Sequence, residues 1–105
     1  MSKIIAVDFD GCLCENKWPE IGLANLPAIE ALKRRREQGD KIILWTCRCG
    51  RQLAEAIEWC RGRGLHFDAV NENLPETKER YGEWGPKVTA DEYWDDRAVV
   101  VRYRG

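Results

Sequence analysis

Two short apolar runs, Ile4-Ile5-Ala6-Val7 and Ile42-Ile43-Leu44-Trp45, flank a segment with helical periodicity. That arrangement constrains the fold more than any other feature of the chain. Largely β-branched runs of this length read as buried strands. Strands separated by helices imply right-handed crossovers and a mostly parallel sheet. Asn25 is placed to cap a helix that starts near Leu26-Pro27 and carries Leu26, Ala28, Ile29 and Leu32 as its apolar stripe. Arg34-Arg35-Arg36 then fall near its C-terminal end, where cations suit the helix dipole, and Gly39 supplies a stop. A second helix begins at about Arg51, turns Leu53, Ala56, Ile57 and Cys60 to one face, and ends at Gly62 and Gly64. Residues 67–70 read as a third strand, Glu92–Trp94 as a fourth and 98–101 as a fifth. Residues 12–22 have no clear period and read as a loop or short flap, and 71–85 as irregular chain with a helical turn over 76–81. The expectation is one α/β domain over residues 1–105, a three-layer α/β/α sandwich on a mostly parallel five-stranded sheet.

The chemistry concentrates where these strands end. Asp8-Phe9-Asp10-Gly11 follows the first apolar run directly, and open α/β sheets carry their sites at the C-terminal ends of their strands. Residues two apart on a strand point the same way, so both carboxylates project together from its mouth. Anionic groups that converge there need a cation or a shared proton, and Mg²⁺ takes hard oxygen ligands and accompanies phosphates. Thr46 closes the second run; Lys87 and the pair Asp95-Asp96 come later. A phosphoryl-transfer site needs a nucleophile, an acid/base, partners for phosphate oxygens and metal ligands. Each is present in the ordered set Asp-x-Asp, Thr, Lys, Asp-Asp. Taken singly, Asp-Gly is an ordinary turn former, Thr46 an ordinary strand residue and Lys87 an ordinary solvated lysine.

The whole set in this order resembles the haloacid dehalogenase (HAD) superfamily of aspartate-nucleophile phosphatases, over a span from Ile4 to about Arg97. The flanking residues of Asp10-Gly11-Cys12-Leu13-Cys14-Glu15, Trp18-Pro19-Glu20-Ile21-Gly22, Trp45-Thr46-Cys47-Arg48, Pro86-Lys87 and Asp95-Asp96-Arg97 are similar to those of small, capless HAD-like hydrolases of bacteria and phages. The resemblance implies a Rossmann-like sheet with strand order five-four-one-two-three. It also implies a Mg²⁺-dependent phosphomonoester hydrolase working through an aspartyl-phosphate. Asp8 would be the nucleophile and Asp10 the general acid/base, its backbone carbonyl also on the metal. Thr46 would serve the phosphoryl oxygens, and Lys87 would offset the charge on Asp8 and the phosphate. Asp95 and Asp96 would hold Mg²⁺ directly or through water. Neither gap between motifs is long enough for a cap domain, so the site is expected to be open. Substrate choice then falls to loops, an oligomeric neighbour or a large substrate. Arg48, Arg97, Asn71 and Asn73 are candidate substrate contacts; a surface ion pair (Arg48, Arg97) or an Asx turn (Asn71, Asn73) accounts for them equally well. Cys12 stands where such phosphatases usually carry Thr or Val; a thiol of similar size is expected to leave activity intact. The substrate class is a phosphorylated small molecule or a polynucleotide end.

Other readings are weaker. A net charge of −1 argues against a general nucleic-acid binder. No stretch approaches a membrane span, and the first strand begins too early for a signal peptide ahead of it. Five cysteines in a charged, helix-rich chain point to reduced thiols in the cytoplasm. Cys12/Cys14 and Cys47/Cys49 form two Cys-x-Cys pairs at neighbouring strand ends, but zinc sites usually space their cysteines more widely. Cys60 reads as a small buried apolar residue, and His66, the lone histidine, has no partner for a triad or a metal site. Five tryptophans raise base stacking, yet Trp45, Trp59 and Trp94 lie within predicted core elements. A phosphoreceiver domain also uses Asp, Thr and Lys on a parallel sheet. Its acidic pair, however, comes at the first strand and its acceptor Asp at a middle one, whereas here a second pair follows Lys87. A catalytically inactive phosphate-binding module is the other alternative, and every expected catalytic residue is present.

Overall fold

The computed structural model describes residues 2–82 and 85–103. The elements in chain order are β1 (Ile4–Val7), β2 (Cys14–Lys17), β3 (Glu20–Ala24), α1 (Leu26–Glu37), β4 (Lys41–Leu44), α2 (Gly50–Arg61), β5 (Ala69–Val70), α3 (Pro75–Tyr81) and β6 (Glu92–Trp94). The four-stranded sheet runs β5-β4-β1-β6 with every neighbouring pair parallel, and β2 and β3 form a separate antiparallel hairpin. This is an α/β arrangement. The chain steps outward from β1 through β4 to β5, then returns past β1 to lay down β6. The reversal puts a topological switch point at the C-terminal ends of β1 and β6.

Side chains sort by strand alternation. Ile5, Val7, Ile42 and Leu44 join Ile29 and Leu32 of α1 and Ala56 and Cys60 of α2 in one buried cluster. Ala6 and Ile43 point the other way and pack with Leu74, just before α3, and Val88. Both faces of the central strands are therefore covered, which is why Ile4–Val7 and Ile42–Leu44 are apolar throughout. Trp59 and Trp94 pack against the first cluster and Trp45 against the second, as expected of core tryptophans. Asn25 caps α1, its side chain accepting from the Ala28 N–H.

Three expectations need correction. Residues 98–101 form no strand; a turn follows β6, and Val99, Val100 and Val101 are 83%, 76% and 87% exposed. Strand preference is largely a preference for a half-buried pleated surface, and these valines have no sheet to lie on. The third predicted strand shortens to Ala69–Val70. The flap at 12–22 is a true hairpin, with a register shift between Cys14 and Asn16 that masks its period. No helix among the described residues is long and apolar enough to cross a membrane.

The arginines near the end of α1 do more than complement the helix dipole. Arg36 pairs with Asp68, while Arg35 bridges Asp40 and the Glu92 carboxylate, donating to the latter at 3.1 and 2.8 Å. Asp40 also accepts the Lys3 N–H, so one guanidinium ties α1, the start of β1 and β6 together. Arg35, helped by the Trp94 indole, holds the Glu92 carboxyl down at about 2 from its ordinary 4.5. A depressed acid stabilises the fold above its unfolded pKa and loses that contribution as pH falls through the folded one. Stability should therefore drop between pH 4.5 and about 2. Glu92→Gln should remove about 1 kcal/mol at neutral pH, the upper end for partly exposed pairs, and flatten the acid limb of a Tm-against-pH curve. An unchanged acid limb in the variant would sink this assignment.

Candidate active site

β1 sets the site by register. Val7 pairs with Leu44 on one side and Trp94 on the other, so the residues that follow these three strands emerge side by side. The Asp8 N–H donates to the Trp94 carbonyl at 2.9 Å, and the Trp45 N–H donates to the Val7 carbonyl at 2.9 Å. Phe9 is fully buried and meets the Trp59 ring edge-on, with centroids 5.5 Å apart. That anchor turns Asp8 and Asp10 together toward a cavity of about 460 Å³ that also takes in Asn16, Trp18, Thr46, Cys47, Arg48, Asp95, Asp96 and Arg97.

Asp8, Asp95 and Asp96 converge, their ligand atoms all lying within 4.8 Å of one another. Burial raises the Asp8 carboxyl above its ordinary value; the Phe9 N–H opposes this at 2.8 Å, and Asp95, Asp96 and Asp10 raise it further. Asp8 is thus a carboxylate whose charged form the surrounding protein disfavours. Gly11 lets the loop approach this cluster: at φ +85° it sits where a Cβ would fall 2.5 Å from Asp96 Oδ2. Three hard oxygen donors with an unbalanced negative charge fit a small divalent cation, and Mg²⁺ suits that donor set. Among the described residues no other His, Cys, Asp or Glu group converges in this way, so the two Cys-x-Cys pairs do not form a common site. Cys12 lies against the carboxylates, and burial followed by Asp8, Asp96 and Asp95 pushes its thiol up to about 11. It stays protonated and adds no charge there.

Asp10 does not join the cluster through its side chain. Its two oxygens accept a fork from Arg48, Nε to Oδ2 and Nη2 to Oδ1, both at 2.8 Å. Arg48 is 2% exposed and lies 5.0 Å from the Phe9 ring centroid and 5.0 Å from that of Trp18. Its remaining N–H groups donate to the carbonyls of Pro19, Glu20 and Gln52. Arg48 is therefore neither a surface ion pair nor a free substrate contact, because its donors are already engaged beneath the hairpin. Thr46 lines the cavity, its hydroxyl accepting the Arg48 N–H at 3.2 Å and its own N–H donating to Asn71 Oδ1 at 2.8 Å. Asn71 adopts φ 53°, and Asn73 Oδ1 accepts the Thr89 N–H. Neither asparagine lines this cavity; each accepts a backbone N–H from a distant segment, 25 and 16 residues away, rather than closing a local Asx turn.

Lys87 stands on the other side of the strand ends. It lines a neighbouring cavity of about 740 Å³ that shares Asp8 and Asp95, and its ammonium lies 5.3 Å from the Tyr93 ring centroid. Lys87 does not line the Asp8–Thr46 cavity, and no ion pair between Lys87 and Asp8 is seen among the described residues. Arg97 lines the first cavity, and its N–H donates to Asp95 Oδ1. His66 is exposed and away from the site. Sequence reasoning missed Asn16 and Trp18 as site residues; Asn16 lies on β2 and Trp18 in the turn after it, a stretch with no legible period.

No family model matches the chain, and no curated protein matches it. The fold is similar to the solved structure of a conserved protein from Bacteroides thetaiotaomicron, with a TM-score of 0.84 and 45% identity over 94% of this chain and 79% of that one. At that identity and coverage, the chain belongs to the same family as this conserved Bacteroides protein.

Proposed function

We propose that the protein is a Mg²⁺-dependent phosphomonoester hydrolase with the three-layer, Rossmann-like core of a capless HAD-type phosphatase, working on a phosphorylated compound in the cytoplasm. The observation that carries this reading is the meeting of Asp8, Asp10, Thr46, Asp95 and Asp96 around one cavity. Asp8 attacks phosphorus, forming the aspartyl-phosphate as the bond to the leaving oxygen breaks. Asp10 supplies the proton to that oxygen and later takes one from the water that releases phosphate. Arg48 holds both Asp10 oxygens, so the fork gives up one of its two bonds for the proton transfer to take place there. Thr46 offers its hydroxyl to the phosphoryl oxygens, its backbone N–H held in place by Asn71. Lys87 offsets charge on the far side of Asp8. Bound Mg²⁺, held by Asp8, Asp95, Asp96 and the Asp10 carbonyl, would neutralise the carboxylate cluster and polarise the phosphoryl group. The site has no cap, so a large substrate or a second copy of the chain is what would cover it.

Hydrolysis of small phosphomonoesters should require Mg²⁺ and fall to background with excess chelator, recovering when Mg²⁺ is restored. Equal rates with and without chelator would remove the metal from the mechanism. Stable stoichiometric labelling by acetyl phosphate, with no turnover of any ester, would mark a phosphoreceiver instead.

A further inference from the structure

We infer that the β2–β3 hairpin presents a stacking platform for a planar aromatic base carried on the leaving group, so that the ester hydrolysed at this site is nucleotide-like. The inference rests on the hydrolase reading and names its substrate class. Trp18 is 56% exposed, unlike the core tryptophans, and it lines the same cavity as Asp8. One side of its ring lies against the Arg48 guanidinium, 5.0 Å from the ring centroid. More than half of the residue's surface is nonetheless left open.

The platform is held in advance. Arg48 fixes the turn that contains Trp18 through the Pro19 carbonyl and the start of β3 through that of Glu20, and the same guanidinium grips Asp10. A ring stacked on Trp18 is thus positioned relative to the acid that must protonate its leaving oxygen, with little ordering left to do on binding. Asn16 lies two residues earlier, on β2, and lines the same cavity. Its Oδ1 accepts the Trp18 N–H at 3.3 Å, which leaves its amide N–H groups to donate to ring nitrogens or carbonyls. A cavity of about 460 Å³ is in the range that accommodates a mononucleotide. A sugar phosphate would use the phosphate end of the site and leave the indole face and the Asn16 donors idle.

The test compares kcat/KM with Mg²⁺ for nucleoside monophosphates, a phosphate-terminated oligonucleotide, phenyl phosphate, ribose 5-phosphate and glycerol phosphate. It is run on the full chain and on Trp18→Phe and Trp18→Leu, with equilibrium binding of the same compounds measured by calorimetry. The nucleotides should be preferred over ribose 5-phosphate by roughly 10- to 100-fold, the range for stacking one base on an aromatic side chain. Trp18→Phe should keep most of that ratio and Trp18→Leu should collapse it. The oligonucleotide arm separates a strand end from a free nucleotide, and phenyl phosphate separates a bare ring from one with hydrogen-bonding edges. Equal efficiency on ribose 5-phosphate and nucleotides, or an equal loss on both in Trp18→Leu, would overturn the platform while leaving the hydrolase standing. Base-dependent binding that Trp18→Leu abolishes, with no hydrolysis of any ester, would retain the platform and overturn the hydrolase.

Discussion

Asp8→Asn is expected to abolish turnover without destabilising the metal-free protein. An amide oxygen is a poor nucleophile at phosphorus, so no aspartyl-phosphate forms and hydrolysis falls to background. The stability half of the prediction comes from the electrostatics of the site. Burial and three neighbouring carboxylates disfavour the Asp8 anion, so its neutral isostere removes a repulsion while still accepting the Phe9 N–H. The metal-free Tm of the variant should equal or exceed that of the native chain. Loss of activity with gain of stability is the signature of a site arranged for chemistry rather than for folding. Asp10→Asn should behave differently, because Asn keeps an acceptor for Arg48 but cannot move a proton. Its first step should slow by about 10²–10⁴-fold on alkyl esters and much less on aryl esters, whose leaving groups need little protonation. Burst and steady-state rates on both ester types, with thermal melts in chelator, check all of this. Turnover by Asp8→Asn, or full activity of Asp10→Asn on alkyl esters, would show the roles to be wrong.

What could be read from the sequence and what could not divide along a physical line. β1, β4, α1 and α2 were legible because each buries a periodic apolar face, and periodicity is a local property of the chain. Four strands of the order that the resemblance implied are found, β6-β1-β4-β5, and the parallel pairing of β1 and β4 was legible from the crossover rule. The convergence of Asp8, Asp95 and Asp96 followed from that order. Residues 98–101 misled because three valines carry strand propensity whether or not a sheet lies beside them. The hairpin was missed because four of its first strand's residues read Cys-Glu-Asn-Lys, with only Cys14 buried. The role of Arg48 was beyond reach for a different reason. Its partners are Asp10, Pro19, Glu20 and Gln52, and only the last lies close in sequence. The same holds for Asn71, which supports Thr46 from another loop. Local pattern identifies elements; it does not identify which polar group ends up beneath which turn.

Breaking the Arg48–Asp10 fork should cost as much stability as truncating a large core residue. The Arg48 side chain is 1% exposed and that of Asp10 16%, so neither charge has enough water to replace its partner. Removing one member of such a pair costs about 3–5 kcal/mol because the other is left uncompensated. Arg48→Leu and Asp10→Ala should each lower Tm by roughly 15 °C or more at this chain length. Arg48→Lys should not rescue, since an ammonium cannot present the planar fork to Asp10 while also donating to the hairpin carbonyls. The double variant carries no orphaned charge and should lose less than the sum of the singles, with a coupling of about 0.5–3 kcal/mol. The hairpin supplies a second readout. Without Arg48 the Pro19 and Glu20 carbonyls lose their donor, so amide exchange in β2 and β3 should quicken in Arg48→Leu but much less in Asp10→Ala. Additive losses in the cycle would mean that the two side chains act independently. Equal exchange in both single variants would mean that the hairpin is held by something other than Arg48.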